Sequence, residues 1–342
     1  QIMTKIMVFT GIMVGTTLTA CSNNWLLAWV GLELNMLAIL PVISKTKHPR
    51  AIEASTKYFL TQAVASCLLL FSSTLNAWQT GTWDITQMSN QYASTTMLVA
   101  LTMKAGTAPT HFWLPEVMQG STLLTCLLIS TWQKIAPVTL MFSLAHQIQP
   151  NIALGLGLLS AALGGWGGMN QTQLRKMMAY SSISNMGWTV TILAFEPKTA
   201  TINILVYIFM VIPLFLLLTS TSTKTLQNMT TSWTTSPTAS SALALLLVSM
   251  SGLPPLVGFL PKLLILNELM AQNLAPTAVL LTMTTLLNLV FYLRTAYLTT
   301  LLNSPSSSTS TTKWRQKMNQ EKASALAPTT MTALVALPTL IP

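Results

Sequence analysis

Apolar stretches about as long as a bilayer is thick recur from one end of this chain to the other, and that feature limits what it can fold into. A helix of about twenty apolar residues crosses the ~30 Å hydrocarbon core. Only 7% of the residues are charged, against roughly 25% in an ordinary soluble domain. A soluble fold is therefore excluded, and the chain reads as an all-α polytopic membrane protein. Seventeen Lys+Arg against seven Asp+Glu give a net charge of +10, which in a soluble protein would suggest nucleic acid. Set between membrane-length apolar runs, the same excess carries no such meaning, and no nucleic-acid partner is expected.

Polar and Pro/Gly punctuation cuts the sequence into about eleven segments, near 1–20, 23–43, 51–78, 92–113, 120–146, 150–170, 174–195, 199–219, 238–268, 275–302 and 324–342. The connections are short except for the Ser/Thr-rich stretches near 220–237 and 303–323. No room is left for a separate soluble domain. The chain opens on Gln1, so a natural start upstream is expected, and the first apolar run lacks the small-residue cleavage site of a signal peptide.

Basic residues then orient the segments. Lys45, Lys47, Arg50, Arg175, Lys176, Lys224, Lys313, Arg315, Lys317 and Lys322 fall in or beside the connections after segments two, six, eight and ten. The connections after odd-numbered segments hold only Lys198, beside the acids Asp84 and Glu196. By the positive-inside rule the even connections face the compartment of insertion, the bacterial cytoplasm or the mitochondrial matrix. The N-terminus is expected inside and the C-terminus outside.

Four charges stand away from the interfaces: Glu33, Lys104, Lys134 and Lys262. Each costs about 2.5–3.5 kcal/mol or more at mid-bilayer, so each is a candidate functional residue. Snorkelling is the plain alternative, and it works only near a helix end. Glu33, Lys104 and Lys134 lie about ten, twelve and fourteen residues into their segments, which is mid-membrane at ~1.5 Å per residue. Position alone leaves Lys262 open, because the end of its segment is hard to place.

Two of the lysines sit beside helix breakers, in Lys104-Ala-Gly-Thr-Ala-Pro109 and after Ser251-Gly-Leu-Pro-Pro255. Proline removes a backbone donor, and the groups it frees must find partners in protein or in a watered cavity. Segment nine, at about thirty-one residues or ~46 Å, is also too long for one straight passage. Interruptions in segments four and nine, five apart, predict an inverted-topology repeat of five helices, as in transporters. On this reading 1–342 is one transmembrane domain, with a first repeat over 1–146, an inverted second repeat over 150–302 and an extra helix at 324–342. A lysine suits such a path, since desolvation disfavours the charged ammonium and a nearby carboxylate restores it.

Other polar residues carry less. His111, just past the first break, either relays protons or caps the inner half-helix. Glu53 and Lys57, four apart, read as a helix-surface pair. Glu116 and Glu268 read as interfacial. Cys21, Cys67 and Cys126 are far apart and imply neither a disulfide framework nor a metal site. His48, His146 and the scattered methionines do not cluster as metal ligands, and the glycine clusters do not complete a dinucleotide fingerprint. No metal or redox cofactor is expected on this chain.

Gly164-Gly-Trp-Gly-Gly-Met-Asn-Gln-Thr-Gln-Leu-Arg-Lys176 and Ala179-Tyr-Ser-Ser-Ile-Ser-Asn-Met-Gly-Trp188 resemble the antiporter-like, proton-pumping subunits of mitochondrial NADH:ubiquinone oxidoreductase, respiratory complex I. Trp29-Val-Gly-Leu-Glu-Leu-Asn-Met36, Lys104 to Pro115, Trp132-Gln-Lys134 and Gly252 to Lys262 follow in the family's order over nearly the whole chain. The resemblance implies a glutamate–lysine pair at Glu33 and Lys104, a central lysine at Lys134 and a terminal lysine at Lys262. It implies NADH, FMN, iron–sulfur clusters and ubiquinone in other subunits. The partners it implies are other membrane-arm subunits (chains 4 and 4L as neighbours), accessory subunits and membrane lipids. It places the chain in the mitochondrial inner membrane, N-terminus in the matrix. Asn185 departs from the histidine that related chains often carry there. A stand-alone cation/proton antiporter is the alternative function.

Overall fold

A computed structural model of the chain describes residues 2–88, 90–221, 223–235, 237–254, 256–300 and 330. Among the described residues the regular structure is helical. It comprises α1 (Ile2–Cys21), α2 (Trp25–Ile43), α3 (Pro49–Thr80), α4 (Gln91–Ala105), α5 (Trp113–Gly120), α6 (Leu123–Ser130) and α7 (Trp132–Ser143). It continues with α8 (Pro150–Met169), α9 (Leu174–Leu193), α10 (Pro197–Thr221), α11 (Leu226–Thr235), α12 (Pro237–Ser251), α13 (Phe259–Ala271) and α14 (Ala275–Thr300).

Seven helical stretches among the described residues are long and apolar enough to cross a membrane: α1, α2, α3, α6 with α7, α8, α10 and α14. The expected segment nine is present as two shorter helices, α12 and α13; the expected segment four, 92–113, holds α4, and its partner α5 occupies the stretch 114–119 expected to be a connection. The seventh is α9, twenty residues long but rich in Ser, Asn and Thr. The expected segment 324–342 and the basic residues from Lys313 to Lys322 lie outside the described residues. One expectation is corrected: the Ser/Thr-rich connection near 220–237 contains α11. Its buried Leu226 and Met229, three residues apart, give it an apolar face, and it packs on α12 and α14.

The helices form two compact units, one of the described residues up to Ser160 with Thr189–Ala200, the other of Ala161–Trp188 with those from Thr201 onward. In the first unit α2 packs on α1 and α3, α3 on α4 and α5, and α7 on α4. Helix α3 shows how the packing follows from sequence. Its buried positions include Tyr58, Gln62, Ala65, Leu69, Ser72 and Asn76, spaced by alternating fours and threes, so small and polar side chains line one face. Phe59, Leu60, Val64 and Phe71 point outward. A membrane supplies the apolar solvent, so the helix spends its polar residues on its neighbours.

In the second unit α14 packs on α11, α12 and α13. The glycine cluster of α8 serves close approach. A methyl group on Gly164 would stand 2.6 Å from the Ser184 nitrogen, and one on Gly168 2.8 Å from the Phe291 ring. Trp166, between them, is exposed.

Candidate functional site

The first break is built by Gly106. Helix α4 ends at Ala105, and Gly106 takes φ +79°, a left-handed conformation that ordinary residues resist. Three of the carbonyls that the break frees have donors. The Thr102 carbonyl accepts from the Thr107 amide at 3.0 Å and the Thr107 hydroxyl at 3.2 Å. That of Met103 accepts from the Gly106 amide at 3.2 Å and the Trp113 indole at 3.3 Å. That of Lys104 accepts from the Gln62 amide at 3.4 Å. Lipid offers no donors, so these protein partners are what allow the helix to stop inside the membrane.

Lys104 occupies the last turn of α4, the end of a helix where a cation is favoured. Its Nζ lies 3.6 Å from Glu33 Oε1, with the lysine side chain 3% exposed and the glutamate 19%. That separation makes an ion pair but exceeds a direct hydrogen bond. Lys104 and buried Lys134 line one small cavity of about 20 Å³, with room for roughly one water. Tyr58, Gln62, Asn35 and Gln133 share its wall, and the Gln133 amide donates to Asn35 Oδ1 at 2.9 Å.

Sequence reading treats segment five as one unbroken helix; the structure corrects this. Helix α6 stops at Ser130, Thr131 is distorted from regular helical dihedrals (φ −112°, ψ −74°) though still right-handed, and α7 restarts at Trp132 with Lys134 in its first turn. Two residues weaken the helix on either side of this point. Pro137 offers no amide to the Gln133 carbonyl, and the Thr131 hydroxyl donates back to the Leu127 carbonyl at 2.7 Å.

In the second unit α12 ends at Ser251, Gly252 takes φ +83°, and α13 begins at Phe259. Lys262, the lysine that position left open, is 7% exposed and donates from Nζ to the Ser251 carbonyl at 2.6 Å. The carbonyl end of α12 thus receives this cation, as the end of α4 does Lys104. Its Nζ is also 6.0 Å from the centroid of the buried Trp188 ring, at the outer limit of a cation–π contact. The two breaks share a spelling: Gly106, Pro109, Trp113-Leu-Pro115 and Gly252, Pro255, Phe259-Leu-Pro261 have identical spacing 146 residues apart.

Residues 22–288, which hold both breaks and all four intramembrane charges, match the family model of the NADH:quinone oxidoreductase/Mrp antiporter transmembrane region. The chain belongs to this family. It is 51% identical over 301 residues to NADH-ubiquinone oxidoreductase chain 2 of Salmo salar, covering 88% of this chain and 86% of that one. With the same-named chain of Oncorhynchus mykiss it shares 49% over 324 residues, 95% of this chain and 93% of that one. A chain of Thermus thermophilus respiratory complex I superposes with a TM-score of 0.79 at 24% identity, over 95% of this chain and 77% of that one. A chain of the Mrp complex from a Dietzia species gives 0.78 at 18% identity, over 88% and 60%. At that identity the two structures speak for the fold: the all-helical, antiporter-like architecture expected from sequence.

The remaining residues of this antiporter-family chain are placed as follows. His111 is buried, bonds to the Pro109 carbonyl and stacks on Phe112 at 4.3 Å. It does not cap the inner half-helix, because the N-cap of α5 is Phe112. Lys57 Nζ lies 2.5 Å from both Glu53 and Glu116, so the helix-surface pair extends to a third group that ties α5 to α3. The Asn185 side chain donates to the Ser181 carbonyl at 2.9 Å within its own helix. Sequence reasoning missed Gln62, Asn35, Gln133 and Trp188. Uncharged amides inside apolar runs were the available signal.

Proposed function

We propose that this chain is an antiporter-like membrane-arm subunit of an NADH:ubiquinone oxidoreductase, moving protons across the mitochondrial inner membrane while electrons pass from NADH to ubiquinone in other subunits. The observation that carries the reading is the loose Glu33–Lys104 pair, whose buried lysine lines the same cavity as Lys134. Held by Glu33, Lys104 keeps its proton; parted from Glu33 in a desolvated site, it releases it. The cavity offers Lys134 as the acceptor, through one water or a side-chain swing. Lys262, on the carbonyl end of α12, is the terminal station. His111 is a candidate relay at the first break.

The two breaks, identically spaced in sequence, support an inverted repeat over 1–146 and 150–302. The orientation proposed follows the basic connections, with the N-terminus in the matrix and the C-terminus in the intermembrane space. NADH, FMN, the iron–sulfur clusters and ubiquinone are assigned to other subunits, and chains 4 and 4L are the proposed neighbours.

The deciding experiment is Lys134→Ala in the assembled enzyme, followed by proton pumping and NADH oxidation. Removing the central acceptor is expected to lower coupled turnover by tenfold or more, the order of a lost acid–base group. Unchanged pumping and turnover would end the proposal. The Mrp-type fold favours one competing reading, autonomous cation/proton exchange. Under that reading the isolated chain exchanges sodium or potassium for protons in liposomes; under ours it does not.

A further inference from the structure

A second feature lies away from the lysines, where α2 turns into α3. A groove of ≈ 530 Å³ runs between the two helices. Ser44, Ser55 and Thr56 line one level of it, while Leu40, Phe59 and Leu60 line a level one helical turn deeper along each helix. The connection that begins at the Ser44 level carries exposed Lys45 and Lys47, and the first turn of α3 carries exposed Arg50. Charge, hydroxyl and hydrocarbon thus follow one another in the order of a phospholipid's own parts.

The polar partners narrow the ligand. The three hydroxyls donate to their own helices: Ser44 to the Leu40 carbonyl at 3.2 Å, Ser55 to that of Ile52 at 2.7 Å and Thr56 to that of Glu53 at 2.9 Å. Their oxygens retain lone pairs, so they accept hydrogen bonds and do not add donors for a phosphate. The phosphate must then be met by the three cations. The nearby Glu53 carboxylate shares Lys57 with Glu116, each at 2.5 Å, and also feels Arg50, so this triad offsets one of the three positive charges at the mouth and leaves the rest for a phosphate. A zwitterionic headgroup would bring its own cation against this cluster.

We propose that the groove holds an acyl chain of an anionic glycerophospholipid with a free headgroup hydroxyl, its phosphate among Lys45, Lys47 and Arg50 and its hydroxyl on Ser44, Ser55 or Thr56. The test uses the assembled enzyme in vesicles containing phosphatidylglycerol with a photoreactive acyl chain, with adducts mapped by mass spectrometry. Adducts are expected on peptides containing Leu40, Phe59 or Leu60, chased by unlabelled phosphatidylglycerol and not by phosphatidylcholine. Basic residues near a membrane surface each contribute about fivefold, so Lys45→Gln, Lys47→Gln and Arg50→Gln together should weaken labelling on the order of a hundredfold. Thr56→Trp fills the groove with the charges intact and should abolish it. Equal labelling by a phosphatidylcholine probe, or adducts only on peptides of another subunit, would overturn the proposal. The competition arm needs no variant, so it decides even if the triple substitution does not assemble. Its outcome is independent of whether Lys134 carries protons.

Discussion

Gly252 leaves no space for a side chain. A methyl group there would stand 2.8 Å from Lys262 Cδ and 2.9 Å from its Nζ, on a backbone at φ +83°. Gly252→Ala therefore meets two penalties, left-handed strain of about 1–2 kcal/mol and eviction of the lysine from the Ser251 carbonyl. Gly106→Ala meets the same strain but a different neighbour, Leu114 Cδ1 at 2.8 Å. Thermal unfolding of a double-mutant cycle should separate the two. Gly252→Ala and Lys262→Met should couple by roughly 0.5–3 kcal/mol, while Gly106→Ala and Lys262→Met should add. Additivity in the first pair would mean that Gly252 serves the backbone alone. These residues also show what a sequence discloses. The breaks were legible because Gly and Pro act locally, whereas the donors that satisfy them were not. Gln62 reaches a carbonyl 42 positions away, and nothing in its own neighbourhood announces that bond.

At the scale of one element, α3 sorts its side chains opposite to a soluble helix, and its two faces should respond differently to mutation. Gln62→Leu is more apolar yet leaves the Lys104 carbonyl without its donor, a loss of about 1–3 kcal/mol. Phe71→Leu on the outward face should stay within about 0.5 kcal/mol. Unfolding of the two variants in one detergent checks the contrast, and equal losses would contradict the assignment of faces. Helix α3 runs two residues beyond the expected 51–78 at each end, because Pro49 starts it and Gly81 stops it through local cap geometry. Two elements were hidden for tertiary reasons. Helix α11 looks like a polar connection until Leu226 and Met229 are seen to share a face packed on α14. The break at Thr131 has no glycine to mark it and goes with a hydroxyl turned back on its own helix.

For the whole molecule, the distribution of charge and the interruption of helices are linked through parity. The proposed repeat of five, being odd, would invert its second copy, and because every crossing reverses side, the basic connections after even segments would share one side. The described helices keep these connections distinct: Lys45 and Lys47 lie between α2 and α3, and Asp84 between α3 and α4. Cysteines placed at Lys45 and at Asp84, in a background with exposed Cys21 and Cys67 changed to serine and only buried Cys126 kept, should react with a membrane-impermeant maleimide from opposite sides. In sealed mitochondria stripped of their outer membrane, Asp84→Cys should label and Lys45→Cys should label only after the inner membrane is opened. The reverse pattern would turn the molecule over, and with it the direction of the proposed proton path. Labelling of both from one side would break the parity itself, because α3 could then not cross. The inverted repeat would lose its geometric basis, while the Glu33–Lys104 pair and its cavity would still need a role.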